Sequence, residues 1–383
     1  MSGLAAAGLH AAVPRKRVVV AGGGIMGASI ALHLARRGAE VTLIEKSQPG
    51  AGATGDSFAW INSTFSKQPQ HYYNLNLQGI AAWRRLQAEM SAPPQIQWGG
   101  SVEWYAEGPE AKELREGVER HQRWGYSTRL IDDAELRRLL PGVEPGTIAA
   151  ASYSDQEGTL DPVAAANALL AEAKRFGATV HYPAEVTGLE MIDNRVSAIV
   201  TTQGKLTADA LVVACGVGTP KIAAMAGVRV PLKDSPGVLA HTAPQPRLLH
   251  RLALGPGSHI KQDPSGRIIA GDNFAGSEGP GASHLRGEQL LQRASRYLAK
   301  MRTKLERVSL GWRVMPEDEF PVVGFTSQCP NLYVVATHSG ITLAALFGQF
   351  AAAEILEGTR IEMLEPYRLS RFDKKVVADF RPQ

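Results

Sequence analysis

The sequence predicts a two-lobed α/β chain, α+β overall, on three observations. Its 383 residues are too many for one small core and suit two, at about 100–200 residues per domain. An apolar run, Val18-Val19-Val20-Ala21, feeds a glycine-rich turn, a helical pattern and a second apolar run. In the middle of the chain a capped helical pattern from Asp161 is followed by three strand-like runs.

Composition narrows the function. Hydrophobic residues make up 44% and charged residues 20%, which excludes a disordered or fibrous chain. Lys+Arg number 41 against 37 Asp+Glu, a net charge of +4, and Arg15-Lys16-Arg17 is the one basic run. That is too little for a phosphate-neutralising surface, so no nucleic acid is expected. Cys215 and Cys329 are the two cysteines, with no CxxC pair and no disulfide framework. The ten histidines lack the HxxxH spacing of a zinc helix, so no metal is expected. No uninterrupted apolar run reaches about 18 residues, so no membrane span is expected. Arg15-Lys16-Arg17 before Val18–Ala21 resembles the start of an export signal. The glycines that follow, and Arg36-Arg37-Gly38, fit a nucleotide-binding turn better. The expected location is cytoplasmic, with residues 1–14 a disordered tail.

Val18–Ala21 reads as a buried parallel strand. It enters Gly22-x-Gly24-x-x-Gly27, after which Ile30, Ala31, Leu34 and Ala35 recur at helical spacing until Gly38. Val41–Ile44 is the second strand, with Glu45 at its end. Strand, glycine turn, helix and acid make the Rossmann-like dinucleotide fingerprint. Gly22 permits the tight turn, Gly24 the approach of a pyrophosphate, and Gly27 close packing of helix on strand. The helix N-terminus, at Ile25 and Met26, offers amides and positive dipole to phosphates. Glu45 can accept hydrogen bonds from adenosine ribose hydroxyls, with Lys46 beside it. The fingerprint alone admits FAD or NAD.

Further along, Asp161-Pro162 is an N-cap with proline at N1. Val163, Ala166, Leu169, Leu170, Ala173 and Phe176 form the buried stripe of the helix that follows, ended by Gly177. Three strand runs come next: Thr179–Tyr182 with Ala184–Met191 (including Val186), then Arg195–Thr201, then Leu206–Ala214, closing on Ala214-Cys215-Gly216. Residues 109–140 are charge-rich and helical in pattern. Pro231, Pro236, Pro244 and Pro246 mark a loop-rich crossing. Ser258–Lys261 and Arg267–Ala270 flank Asp263-Pro264-Ser265-Gly266, a hairpin signal. His338-Ser339 opens a helix to about Glu357, with Leu343, Leu346, Phe347 and Phe350 as its core stripe.

Four of these motifs together resemble the flavin amino-acid oxidase family, which includes D-amino acid oxidase, glycine oxidase and sarcosine oxidase. They are Gly22–Gly27, Gly158-Thr159-Leu160-Asp161-Pro162, Ala208–Gly216, and Gly311-Trp312-Arg313 through Gly324 with Asn331–Gly340. The resemblance spans about residues 16 to 360. It implies an FAD-binding domain from residues 15–75, 150–232 and 305–370, and a substrate domain on a mixed or antiparallel sheet from 76–149 and 233–304. The activity implied is oxidation of the C–N bond of an amino acid or secondary amine by hydride transfer to flavin N5, giving an imine. Oxygen or another carrier would take the electrons. An NAD-dependent dehydrogenase and a non-catalytic flavin-fold subunit of a complex are the alternatives.

The resemblance also implies roles. Arg313 would hold a substrate carboxylate, although the family's usual next residue, proline, is Val314 here. His259 would face substrate from the first hairpin strand, and His338 would stand at the helix that faces the flavin. Backbone amides at Gly340, Ile341 and Thr342 would meet the flavin's pyrimidine edge. Thr54 and Ser57 lie in the family's small-residue loop, and Val186, Ala214 and Gly216 complete the cofactor set. Trp60, Tyr72 and Tyr73 read as core packing. No cysteine stands where sarcosine oxidases attach flavin, so FAD would be non-covalent. Where some members carry an oxygen-activating lysine, this chain has Ile269.

Overall fold

The computed structural model describes residues 15–272, 283–302 and 304–373; the tail expected at 1–14 lies outside them. Strand Arg17–Ala21 sits inside a six-stranded sheet whose order is Val322–Phe325, Leu332–Ala336, Ala210–Val213, Arg17–Ala21, Glu40–Ile44, Thr179–His181. All neighbours are parallel except the first pair, an antiparallel hairpin. Alternation of side chains then divides the first strand between two cores. Val18 and Val20 join a cluster with helices Ile25–Arg36, Pro162–Arg175 and Gly340–Glu357. Val19 and Ala21 point to the other face, covered by the antiparallel strands Val186–Ile192, Arg195–Thr201 and Gly204–Thr207. A parallel sheet covered on both faces explains the unbroken apolar run.

The second large sheet has eight strands, ordered Leu305–Trp312, Pro236–Thr242, Ile268–Gly271, Ser258–Gln262, Leu252–Gly255, Ser101–Tyr105, Ala150–Ser154, Arg129–Leu130. It is antiparallel apart from the pair Leu252–Gly255 with Ser101–Tyr105, so of the two forms expected, mixed or antiparallel, it takes the mixed one. Leu136 and Leu139 of helix Asp133–Leu139, and Leu290 and Ala294 of helix Ser283–Tyr297, close its core. Between the sheets, strand Gly158–Leu160 pairs with Trp60–Ile61 and Ile96–Gln97. Lys261, 2% exposed, reaches across from the second sheet. Its Nζ donates to Thr159 Oγ1 at 3.0 Å and to the Leu160 carbonyl at 3.1 Å.

Four local expectations are corrected. The run Leu206–Ala214 is two strands in two sheets, Gly204–Thr207 and Ala210–Val213, because the Asp209 carboxylate turns aside to accept from the Arg17 amide and guanidinium. Val163 and Phe176 are 38% and 46% exposed, since they lie at the ends of helix Pro162–Arg175, beyond its covering elements; Ala165 replaces them in the core. Pro236 opens a strand instead of marking a loop. Phe350 is only half-buried, and helix Gly340–Glu357 is apolar enough to pass for a membrane span by length and composition. It is mostly buried against helices Ile25–Arg36 and Gln70–Glu89, as the central helix of the core.

Candidate functional site

The glycine turn is built by exclusion. Gly22 adopts φ +108°, and a Cβ there would stand 2.3 Å from the Ala214 carbonyl oxygen. A Cβ on Gly27 would stand 1.9 Å from the Gly22 oxygen. Neither space exists for a side chain, so the turn lies flat against the end of the neighbouring strand. Glu45 fastens it: its carboxylate accepts from the Gly23 amide at 2.7 Å and the Ser47 amide at 2.8 Å. Thr54 Oγ1 accepts from the Ile25 amide at 3.1 Å, which makes Thr54 a cap for the helix. Among the described residues, no backbone acceptor takes the amides of Gly24 and Met26. A narrow cradle with open amides at a helix N-terminus fits a pyrophosphate.

A cavity of about 440 Å³ runs from this turn to the second sheet. Gly22, Gly24, Ile25 and Met26 line it, as do Glu45 and Lys46 after the second strand, and Thr54 and Ser57 on the small-residue loop. Val186, Ala214 and Gly216 line it too, as do Gly340, Ile341 and Thr342 at the start of helix Gly340–Glu357. Gly27 does not line the cavity; its part is the close packing just described. Arg313, His259 and His338, separate in sequence, share this one cavity. The arrangement suits an elongated dinucleotide with its phosphates at the turn and its reactive ring near the three.

Arg313 Nη1 donates to the Pro236 carbonyl at 2.8 Å. A Cβ at Gly237 would come within 2.7 Å of its guanidinium, so that glycine makes room for the fork. Burial lowers the Arg313 pKa, yet guanidinium remains charged in proteins. His259 stands edge-on to Phe65 and Trp60, with ring centroids at 5.2 and 6.2 Å. Burial pushes His259 down to about 4 and His338 down to about 3, so both imidazoles are neutral near pH 7. This end of the cavity is therefore aromatic walls, neutral rings and a fixed cation.

Several residues here were not legible as site residues. Trp60, read as core, lines the cavity, while Tyr73 is core as expected. Tyr72 is buried, but its hydroxyl lies 2.6 Å from Ser339 Oγ. Glu157 holds the loop that carries Trp60 and Phe65. Fully buried, it accepts from Trp60 Nε1 at 3.0 Å, the Ser63 and Thr64 amides at 3.1 and 3.2 Å, and the Thr64 and Ser101 hydroxyls at 2.7 Å each. Burial raises its pKa, and the donors from Ser101, Thr64 and Ser63 pull it back. Ile269 is buried and pairs with Lys261 across the hairpin. Lys67, from a polar loop with no sequence signal, lines the cavity along with Lys46 and Lys221.

Acid should weaken the fold. Burial holds His33, His121, His241 and His259 at about 4 and His338 at about 3, against 6.5 for a free imidazole. A lowered histidine contributes stability that is complete above 6.5 and lost as pH falls toward the folded value. Glu103, pushed up to about 7 by burial, and the buried Glu157 and half-buried Asp56, also raised, act in the opposite sense. The more numerous histidines outweigh them. The urea midpoint should fall between about pH 7 and about pH 5; a midpoint that holds or rises contradicts the burial described.

A family model described as FAD dependent oxidoreductase, DAO, matches residues 17–354. Dimethylglycine dehydrogenase of Mus musculus is 28% identical over 240 residues, covering 62% of this chain and 27% of that protein. The chain thus spans about a quarter of the length of the first curated relatives it matches. Glycine oxidase of Geobacillus kaustophilus is 26% identical, covering 94% of this chain and 98% of that one. Among solved structures, L-proline dehydrogenase from P. horikoshii superposes with a TM-score of 0.83 at 24% identity, covering 95% and 99% of the two chains.

Proposed function

The chain belongs to the DAO family of FAD-dependent oxidoreductases, and from that premise we propose that it oxidises the C–N bond of an amino acid or secondary amine to an imine. The observation that carries this reading is Arg313, fixed in the same cavity as the phosphate cradle and walled by Trp60, Phe65 and His259. FAD, when bound, supplies the two-electron acceptor. Arg313 pairs with the substrate carboxylate through its two-pronged fork and orients the neighbouring carbon. The aromatic walls exclude water from that carbon. A C–H bond breaks with its electron pair leaving on the hydrogen, and the nitrogen lone pair closes the C=N bond. Water then adds to the imine and releases a carbonyl compound and an amine. The neutral His259 and His338 add no charge to repel a cation or to compete with Arg313 for the carboxylate.

Assays of the FAD-loaded protein on amino acids and N-alkyl amino acids, with oxygen or a dye as acceptor, test this reading. Turnover that yields matched carbonyl and amine products is expected. Absence of turnover on every amine with either acceptor would reject it and favour a non-catalytic subunit.

FAD is held without a covalent bond in this reading. Cys215 lines the cavity, but burial pushes its thiol up to about 12, so the nucleophilic thiolate is scarce. Cys329 is fully buried elsewhere, against Asn331. Acid precipitation should leave yellow supernatant and colourless protein. Flavin retained in the pellet would contradict the non-covalent mode.

A further inference from the structure

Lys67 is a buried cation without an acid. It is 5% exposed. Its Nζ donates to Ser339 Oγ at 2.6 Å and lies 5.2 Å from the centre of the Tyr72 ring. Among the described residues no carboxylate comes within ion-pair distance of it. An ammonium has three donors, and this hydrogen bond uses one. A buried charge is ordinarily paired. The first amides of helix Gly340–Glu357 begin beside the same serine and add positive potential.

Lys67 and Arg313 line one cavity, and both depress the His338 pKa through space, after burial. Both cations therefore lie within electrostatic reach of His338. Of the other carboxylates lining the cavity, Glu185 pairs with Lys221 at 3.2 Å. Glu45 is bound to the Gly23 and Ser47 amides, and Asp272 takes Arg286 and Arg293. Asp56 has its pKa raised by burial, against the pull of Arg307.

Resting on the proposed amine oxidation, we infer that the substrate is an amino acid with a second carboxylate, one acid held by Arg313 and the other by Lys67 with Ser339. A monocarboxylic amine bound at Arg313 leaves Lys67 buried without a counter-charge. A second carboxylate neutralises it and accepts its remaining hydrogen bonds. Lys67 is thus a specificity-determining residue for that second acid.

The test compares N-(carboxymethyl)alanine with N-ethylalanine, which differ by one carboxylate, on FAD-loaded wild type, Lys67→Met and Lys67→Arg. Binding of thiodiacetate, which has no oxidisable amine, is followed in parallel by perturbation of the flavin spectrum. Wild type should favour the diacid by at least about tenfold in kcat/KM, the scale of losing one partner of a buried charge pair. Lys67→Met should collapse that ratio and weaken thiodiacetate, while Lys67→Arg keeps most of both. Equal loss on the two amines overturns the inference. So does a lowered flavin midpoint potential in Lys67→Met with the ratio unchanged, which would turn the lysine toward the cofactor. If no amine is oxidised at all, the proposed function fails. Thiodiacetate still decides the subsite then: tight in wild type and weak in Lys67→Met upholds it, and equal in both rejects it.

Discussion

Gly27→Ala should yield a protein that cannot retain FAD and is markedly less stable. The new methyl would sit 1.9 Å from the Gly22 carbonyl oxygen, and the obstacle is backbone, not a side chain that can swing away. Gly22 cannot retreat, because its own α-carbon faces the Ala214 carbonyl. Relief requires helix Ile25–Arg36 to lift from strand Arg17–Ala21, in the centre of the main core. Overpacking of this kind costs about 1–3 kcal/mol or more, and it displaces the amides meant for phosphate. Gly24→Ala separates the two effects: its methyl meets only Thr54 Oγ1, at 3.0 Å, so the thermal midpoint should hold, while flavin content should fall because the methyl stands where the pyrophosphate approaches. Flavin content and the thermal midpoint of purified protein measure both effects. Stoichiometric FAD in Gly27→Ala would show that this turn is not the phosphate site.

Arg313→Met should reduce turnover of an amino acid far more than turnover of its decarboxylated amine. Removing one partner of a buried, hydrogen-bonded charge pair costs about 2–5 kcal/mol, at least tenfold in kcat/KM. Arg313→Lys keeps the charge but loses the fork, so its loss should be smaller and fall mainly on KM. FAD content should stay near wild type, because Arg313 donates to the Pro236 carbonyl and makes no hydrogen bond to the glycine turn among those described. Equal damage to acid and amine would make Arg313 a structural anchor for strand Pro236–Thr242. The Val314 departure from the family pattern gives that control its weight.

The glycine turn was legible because its logic is local: strand, turn, helix and acid lie within one βαβ unit, and steric need dictates the glycines. Arg313, His259 and His338 were legible only through the family's motifs, since nothing in their neighbours' periodicity brings them to one cavity. Glu157 was silent because its donors come from Trp60, Ser63, Thr64 and Ser101, a convergence that only tertiary structure makes. Lys67 was silent for the same reason; a lysine in a polar loop reads as solvated until the chain folds it against Ser339. Trp60 was misjudged because an aromatic in a short strand packs equally well in a core or on a cavity wall. The Leu206–Ala214 run shows the limit of periodicity. The side-chain pattern continues through Asp209, and only the hydrogen bonds to Arg17 reveal that the chain changes sheets there.

The most direct test is anaerobic mixing of the FAD-loaded protein with a panel of amino acids and N-alkyl amino acids while the visible flavin bands are recorded. Loss of those bands with at least one such amine, accompanied by an equal amount of carbonyl product, is the predicted result. Flavin that stays oxidised with every amine, yet is fully reduced by dithionite, would contradict the account.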